Sequence, residues 1–194
     1  LQIPDILPDP FHGEGEQKIA MPPIISIVGT SHSGKTTLLE KLIPELKRRG
    51  HRIGTIKHAS HVVEMDKKGK DSWRHKAAGA DTVIVAGSGR IAMIKENGCD
   101  SLDSLALYFQ DMDLVITEGY KREPRPKIEI FRKATGKPPI FPGHPDLAAF
   151  VTDAEIDLDV PVFGLDDILG LADFIEGRFL NQDVQDDFES GCSG

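Results

Sequence analysis

The residues Gly29-Thr30-Ser31-His32-Ser33-Gly34-Lys35-Thr36 decide the fold of this 194-residue chain. They fit G-x-x-x-x-G-K-[ST] in full. The apolar run Ile24-Ile25-Ser26-Ile27-Val28 precedes them, and Thr37-Leu38-Leu39-Glu40-Lys41-Leu42-Ile43 follows. This order predicts a buried strand, a tight turn and a helix, in which inward-facing backbone amides and the helix N-terminus cradle a polyphosphate. Gly29 and Gly34 permit the turn and close backbone approach. Thr30, Ser31, His32, Ser33 and Thr37 complete the cradle, Lys35 sets an ammonium between the β- and γ-phosphates, and the Thr36 hydroxyl offers an oxygen to Mg²⁺. A bare glycine turn requires neither Gly-Lys-Thr nor a strand and a helix on its two sides.

Working outward, the length suits one domain with a core of its own. The formal charge of -8 excludes a general nucleic-acid binder, and no apolar run is long enough to span a membrane. Two cysteines, Cys99 and Cys192, are too few for a disulfide framework, which points to a reducing, cytoplasmic setting. Leu1 to Pro10 carries three prolines and lacks the basic run of a signal peptide. Residues 1–23 read as an irregular arm, 24–180 as the nucleotide-binding domain and 181–194 as an acidic, disordered tail.

Along the domain, hydrophobic spacing predicts a helix over 35–49 interrupted at Pro44, a strand over 52–57, and a short helix over 71–78. Strands over 82–86 and 90–94 flank a Gly87-Ser88-Gly89 turn and read as a hairpin. A helix over 102–109 offers Leu102, Leu105 and Leu107 for packing. Strands follow at 114–117, 127–132 (half exposed, from its alternation), 148–152 and 160–163, then a helix over 165–179. The fold class is α/β: a P-loop NTPase three-layer sandwich with a mostly parallel central sheet and antiparallel edge strands.

A nucleoside triphosphatase of this class requires a second acidic group at a neighbouring strand end. Glu118, after Leu114-Val115-Ile116-Thr117 and before Gly119, fits that place, as catalytic partner of Lys35 and as metal ligand with Thr36. Asp66 competes as a metal ligand. Lys57, His58 and His61 form a basic and imidazole group that suits anion or transition-metal contact. Lys70 to His75 and Lys121 to Arg125 add cations near the ligand edge. The base is not legible: Asn-Lys-x-Asp is absent, and Thr152-Asp153 follows a late strand from which either side chains or backbone could meet a base edge.

The joint order of Gly29 to Leu38, Ile56-Lys57-His58, Gly69-Lys70-Asp71-Ser72, Ala78-Gly79-Ala80, Thr117 to Lys121 and Lys127-Ile128-Glu129 resembles the molybdopterin-guanine dinucleotide biosynthesis adapter (MobB) family, over about residues 24–178. The resemblance implies a GTP-binding, weakly GTP-hydrolysing homodimer. It would assist a MobA-type nucleotidyltransferase in joining GMP to molybdopterin or its metal-containing form. It implies that Lys35, Thr36 and Glu118 serve the nucleotide and Mg²⁺, with Lys57, His58 and Lys70 near the phosphates or the pterin. Where the family often carries a histidine immediately before the position of His61, this chain has Ser60. Two rival functions share the phosphate loop: a GTP-dependent metal-insertion chaperone using His58 and His61, and a small-molecule kinase whose 58–76 segment holds the acceptor.

Overall fold

A computed structural model describes residues 21–59, 66–96 and 101–181. His61, both cysteines, most of the N-terminal arm and all but Asn181 of the acidic tail lie outside them. Eight strands and four α-helices follow one another along the described chain: β1 (Ile24–Val28), α1 (Lys35–Arg48), β2 (Ile53–Lys57), α2 (Asp71–Ala77), β3 (Thr82–Gly87), β4 (Arg90–Lys95), α3 (Leu102–Ala106), β5 (Leu114–Glu118), β6 (Lys127–Phe131), β7 (Leu147–Thr152), β8 (Val162–Gly164) and α4 (Ile168–Ile175). Six strands form one sheet in the order β2-β5-β1-β6-β7-β8. Every pairing within it is parallel.

All five residues of β1 are buried, as its composition, apolar but for Ser26, requires of a strand covered on both faces. Alternate side chains divide the core between the two sides of the sheet. Ile25, Ile27, Leu114, Ile116, Ile128, Ile130, Ala149 and Val151 meet Leu38, Leu42 and Leu46 of α1 and Leu171, Ala172 and Ile175 of α4. On the opposite side Ile24 and Val115 lie against Leu102 and Ala106 of α3, and Val28 and Phe150 against Phe141 and Leu147. The result is an α/β fold with a parallel sheet flanked by helices. Because β1 lies between β5 and β6, its carboxyl end is a point where connections leave in opposite directions, and such a point opens a crevice.

Four expectations are corrected. The 82–94 hairpin forms an antiparallel two-stranded sheet of its own rather than an edge of the central sheet. Helix α1 runs unbroken through Pro44, because Leu38, Leu39, Leu42 and Leu46 bury the flanking turns. In the 102–109 segment α3 stops at Ala106 and a 3-10 turn continues to Phe109, so Leu107 is exposed while Ala106 and Phe109 pack.

The fourth correction concerns β6, which is a central strand despite its alternating pattern. Lys127 and Glu129, each 1% exposed, are its polar alternates. Lys127 Nζ donates to the Glu123 and Arg125 carbonyls at 2.7 and 3.0 Å and to Asp146 Oδ2 at 2.9 Å. The Glu129 carboxylate accepts the amides of Ile140 and Phe141 at 2.6 and 2.8 Å, while burial raises its pKa against those bonds. Each buried charge thus staples an irregular segment onto the sheet. Replacing Glu129 with Gln presents an amide NH₂ to one of two N–H donors, and thermal unfolding should register a loss of about 1–3 kcal/mol. An unchanged midpoint would refute the staple.

Candidate phosphate and metal site

The turn after β1 is shaped by steric necessity. Gly29 has φ 152°, and a Cβ there would lie 2.4 Å from the Ile130 carbonyl oxygen and 2.6 Å from Ser33 Oγ, so no larger residue fits. His32 (φ 66°) and Gly34 (φ 98°) complete the reversal in the left-handed region. Gly34 then starts α1 without a side-chain cap, and no acidic residue stands in the first turn. The amides of Lys35, Thr36 and Thr37 have no intrahelical acceptor, which leaves the positive end of a 14-residue helix facing the turn. Ser33 is fully buried, and its Oγ has no hydrogen-bond partner among the described residues. A buried hydroxyl without a partner is costly unless something else meets it.

Lys35 folds back across this turn. Its Nζ donates to the Thr30 carbonyl at 2.8 Å and more weakly to that of Gly29 at 3.4 Å. Its pKa is lowered, first by burial and then by Lys121 and Lys57, against the opposing pull of Glu118. An anion beside it would relieve the strain among these cations.

Parallel pairing brings the acid into place. Strand β5 lies between β1 and β2, so Glu118 is in register with Ile27 on one side and Lys57 on the other. Thr36 Oγ1 donates to the Glu118 carboxylate, 3.3 Å from each oxygen. Lys57 Nζ stands 3.8 Å from the same group, which is 16% exposed. A hydroxyl beside a carboxylate is an oxygen-only donor set, the type that a hard cation such as Mg²⁺ prefers, so these residues fit that ion. Asp113, at the other end of β5, is held by Arg52 at 2.7 Å.

Beyond Lys35 a cleft of about 650 Å³ opens, lined by Gly29, Ser31, His58, Tyr120, Lys121 and Arg122 among others. The His58 and Tyr120 rings meet edge to face at 4.9 Å. Gly119 permits that approach, since a Cβ there would lie 3.2 Å from His58 Cβ.

Other predicted site residues stand apart from this group. Asp66 Oδ1 accepts from the Lys67 amide and from Ser72 Oγ, so it shapes the start of α2. Lys70 is exposed at the N-cap of α2. Thr152 is buried, with its hydroxyl accepting the Ala154 amide at 3.0 Å, and Asp153 Oδ1 accepts the Lys133 amide at 2.8 Å. Arg125 turns away from the ligand edge to pair with Asp103 of α3. Sequence reasoning missed Lys41, Arg132 and Asp166, which line a notch beside Gly34 and Thr37. Arg132 and Asp166 each follow a strand end, and that was the signal available.

Comparison with known proteins agrees with this geometry. The family model for molybdopterin guanine dinucleotide synthesis protein B (MobB) matches residues 24–153. The chain is 44% identical over 161 residues to the molybdopterin-guanine dinucleotide biosynthesis adapter protein of Haemophilus influenzae, covering 79% of this chain and 88% of that one. It is 39% identical over 165 residues to the Escherichia coli adapter protein, covering 80% and 92%. The crystal structure of Bacillus subtilis MobB superposes with a TM-score of 0.65 at 27% identity, covering 82% of this chain and 99% of that one. With the matched model spanning the turn, Lys35, Thr36 and Glu118, the chain belongs to the MobB family.

Proposed function

We propose that this chain is a GTP-binding, slowly GTP-hydrolysing adapter in molybdopterin guanine dinucleotide formation, acting beside a MobA-type guanylyltransferase. Family membership supports the adapter role. The observation that carries the nucleotide reading is the convergence of an uncapped helix N-terminus, a bridging lysine and an orphaned buried serine hydroxyl on one turn. Together they make an anion site with three independent donors. The Thr36 and Glu118 pair beside it supplies the place for the magnesium that accompanies a triphosphate. The corresponding fold is the P-loop NTPase sandwich.

Mg²⁺, when bound between Thr36 and Glu118, would neutralise phosphate charge. The chain's own residues do the rest. Loop amides and the Lys35 ammonium hold the β- and γ-phosphates, and Lys35 screens charge that grows on the bridging oxygen as the terminal bond lengthens. The Glu118 carboxylate beside that cation would orient the attacking water. The cleft lined by Lys121 and Arg122 is the place for a second anionic ligand, here the phosphate of molybdopterin or its metal-containing form.

The metal-insertion alternative requires His58 and His61 together, and His61 lies outside the described residues. The kinase alternative requires an acceptor held by the 58–76 segment, and residues 60–65 of it lie outside the described residues.

A second copy of the chain is the proposed cover for the β3-β4 ribbon. Ile84, Ala86, Ile91 and Met93 share one side of it by register, with Ile84 58% and Ile91 76% exposed. A two-stranded ribbon with a bare apolar face is marginal in water. Light scattering should give twice the 21.3 kDa chain mass, and Ile91→Glu should shift it to the monomer. A monomeric wild type would contradict this.

At the phosphate site, Lys35→Ala should weaken Mg·GTP binding at least a hundredfold in calorimetry with little change in unfolding midpoint; unchanged affinity would remove the lysine from its assigned role. Glu118→Gln should slow GTP turnover tenfold or more while changing GTP affinity less than that. Equal turnover would exclude Glu118 as the group that orients water.

A further inference from the structure

The turn after β1 is open on two sides, and the two differ in chemistry. The first, on the side of Lys35, Glu118 and Lys57, holds the residues assigned to the terminal phosphates and the metal. With the terminal phosphates and the metal assigned to that side, the side past Thr37 is left for the nucleoside. That side carries a shallow notch lined by Gly34, Thr37, Lys41, Ile130, Arg132 and Asp166. It is about 30 Å³ in volume, so a base would lie across it rather than within it.

Three charged side chains meet at this notch from three different elements. Lys41 projects from the second turn of α1, Arg132 from the end of β6, and Asp166 from the loop between β8 and α4. Lys41 Nζ donates to Asp166 Oδ1 at 2.7 Å across the notch. Arg132 lies over the turn itself, since a Cβ on Gly34 would be 3.8 Å from its Cδ and 4.0 Å from its Nη1. Lys41 and Arg132 both hold the Asp166 carboxyl below its ordinary range.

The neighbouring carboxylates on this edge are committed to the backbone. Asp153 Oδ1 accepts the Lys133 amide, and Asp167 caps α4 by accepting from the Gly170 amide at 3.1 Å. Asp166 has instead an exposed partner, a lysine that can swing away, and its own side chain is 88% exposed. An ionised carboxylate accepts only, and two adjacent N–H groups form its best bidentate complement. Guanine offers that pair in N1–H and its 2-amino group. Adenine presents a lone pair at N1 and no 2-amino group, so the same carboxylate repels it.

We infer that Asp166 reads the base: it exchanges Lys41 for the N1–H and 2-amino edge of guanine, while Arg132 lies along the exit path of the nucleoside from the turn. This rests on the nucleotide reading above and names the residue that makes it specific for guanine.

The test is competition of Mg·GTP, Mg·XTP, Mg·ITP and Mg·ATP for the full-length chain, in the wild type and in Asp166→Asn. The wild type should prefer GTP over ATP, with ITP weaker than GTP because one of the two bonds is gone. Asp166→Asn should lose tenfold or more in GTP affinity and gain in XTP affinity, since the asparagine NH₂ donates to the xanthine 2-oxo group. At an exposed position the variant should keep the wild-type unfolding midpoint. Retained GTP preference in Asp166→Asn overturns the assignment, as does a switch to XTP produced by Asp153→Asn instead. Equal binding of all four nucleotides by the wild type leaves the phosphate site standing and removes base reading by Asp166. Failure of the wild type to bind any of them removes both.

Discussion

The parallel pairing of β5 between β1 and β2 is the constraint on which the rest depends. It carries Glu118 to the end of β1 on the side covered by α1, where Thr36 is 3.3 Å from both carboxylate oxygens. Had β5 slipped by one residue, Glu118 would face α3 instead, and its contact with Thr36 would be lost. The register is secured by the cores on both faces. Leu114 and Ile116 are fully buried toward α1, while Val115 and Thr117 are fully buried on the other side. Thr117 also hydrogen-bonds Ser26 of β1 at 2.9 Å, a buried polar contact that a slipped strand would break.

The turn preceding α1 is the second half of the same device. Gly29 is fixed by the closeness of Ile130, a residue of β6, so the turn is positioned by the strand on the far side of β1 from Glu118. The Glu118 carboxylate and the turn after β1 therefore reach a common point, each fixed by a different neighbour of one strand. The buried charges of β6 extend this arrangement outward. Lys127 and Glu129 tie parts of the 123–146 segment down onto the sheet.

Much of this was legible in the residues. The G-x-x-x-x-G-K-[ST] spacing and the apolar run before it specified strand, turn and helix, because burial and backbone sterics there admit few alternatives. Glu118 was legible for the same reason: a carboxylate between an apolar strand and Gly119 has one natural place. The strand at 127–131 was misread because alternation reports polarity, not exposure, and buried ion pairs and amide bonds cannot be seen in a one-dimensional pattern. The ribbon at 82–95 was recognised as a hairpin, but its separation from the main sheet depends on pairings that local sequence does not encode. Asp166 and Arg132 escaped notice because single charges after short strands look like ordinary solvated ends until the fold sets them beside Gly34.

The central claim is that the turn at the end of β1 holds a triphosphate and its cation. A crystal structure of the chain with a non-hydrolysable GTP analogue and Mg²⁺ tests it most directly. The account predicts the β- and γ-phosphates within hydrogen-bond reach of Lys35 and the amides of the turn, with the cation between Thr36 and Glu118. An analogue bound elsewhere, with Lys35 still closed on the Thr30 carbonyl and the turn empty, would contradict it.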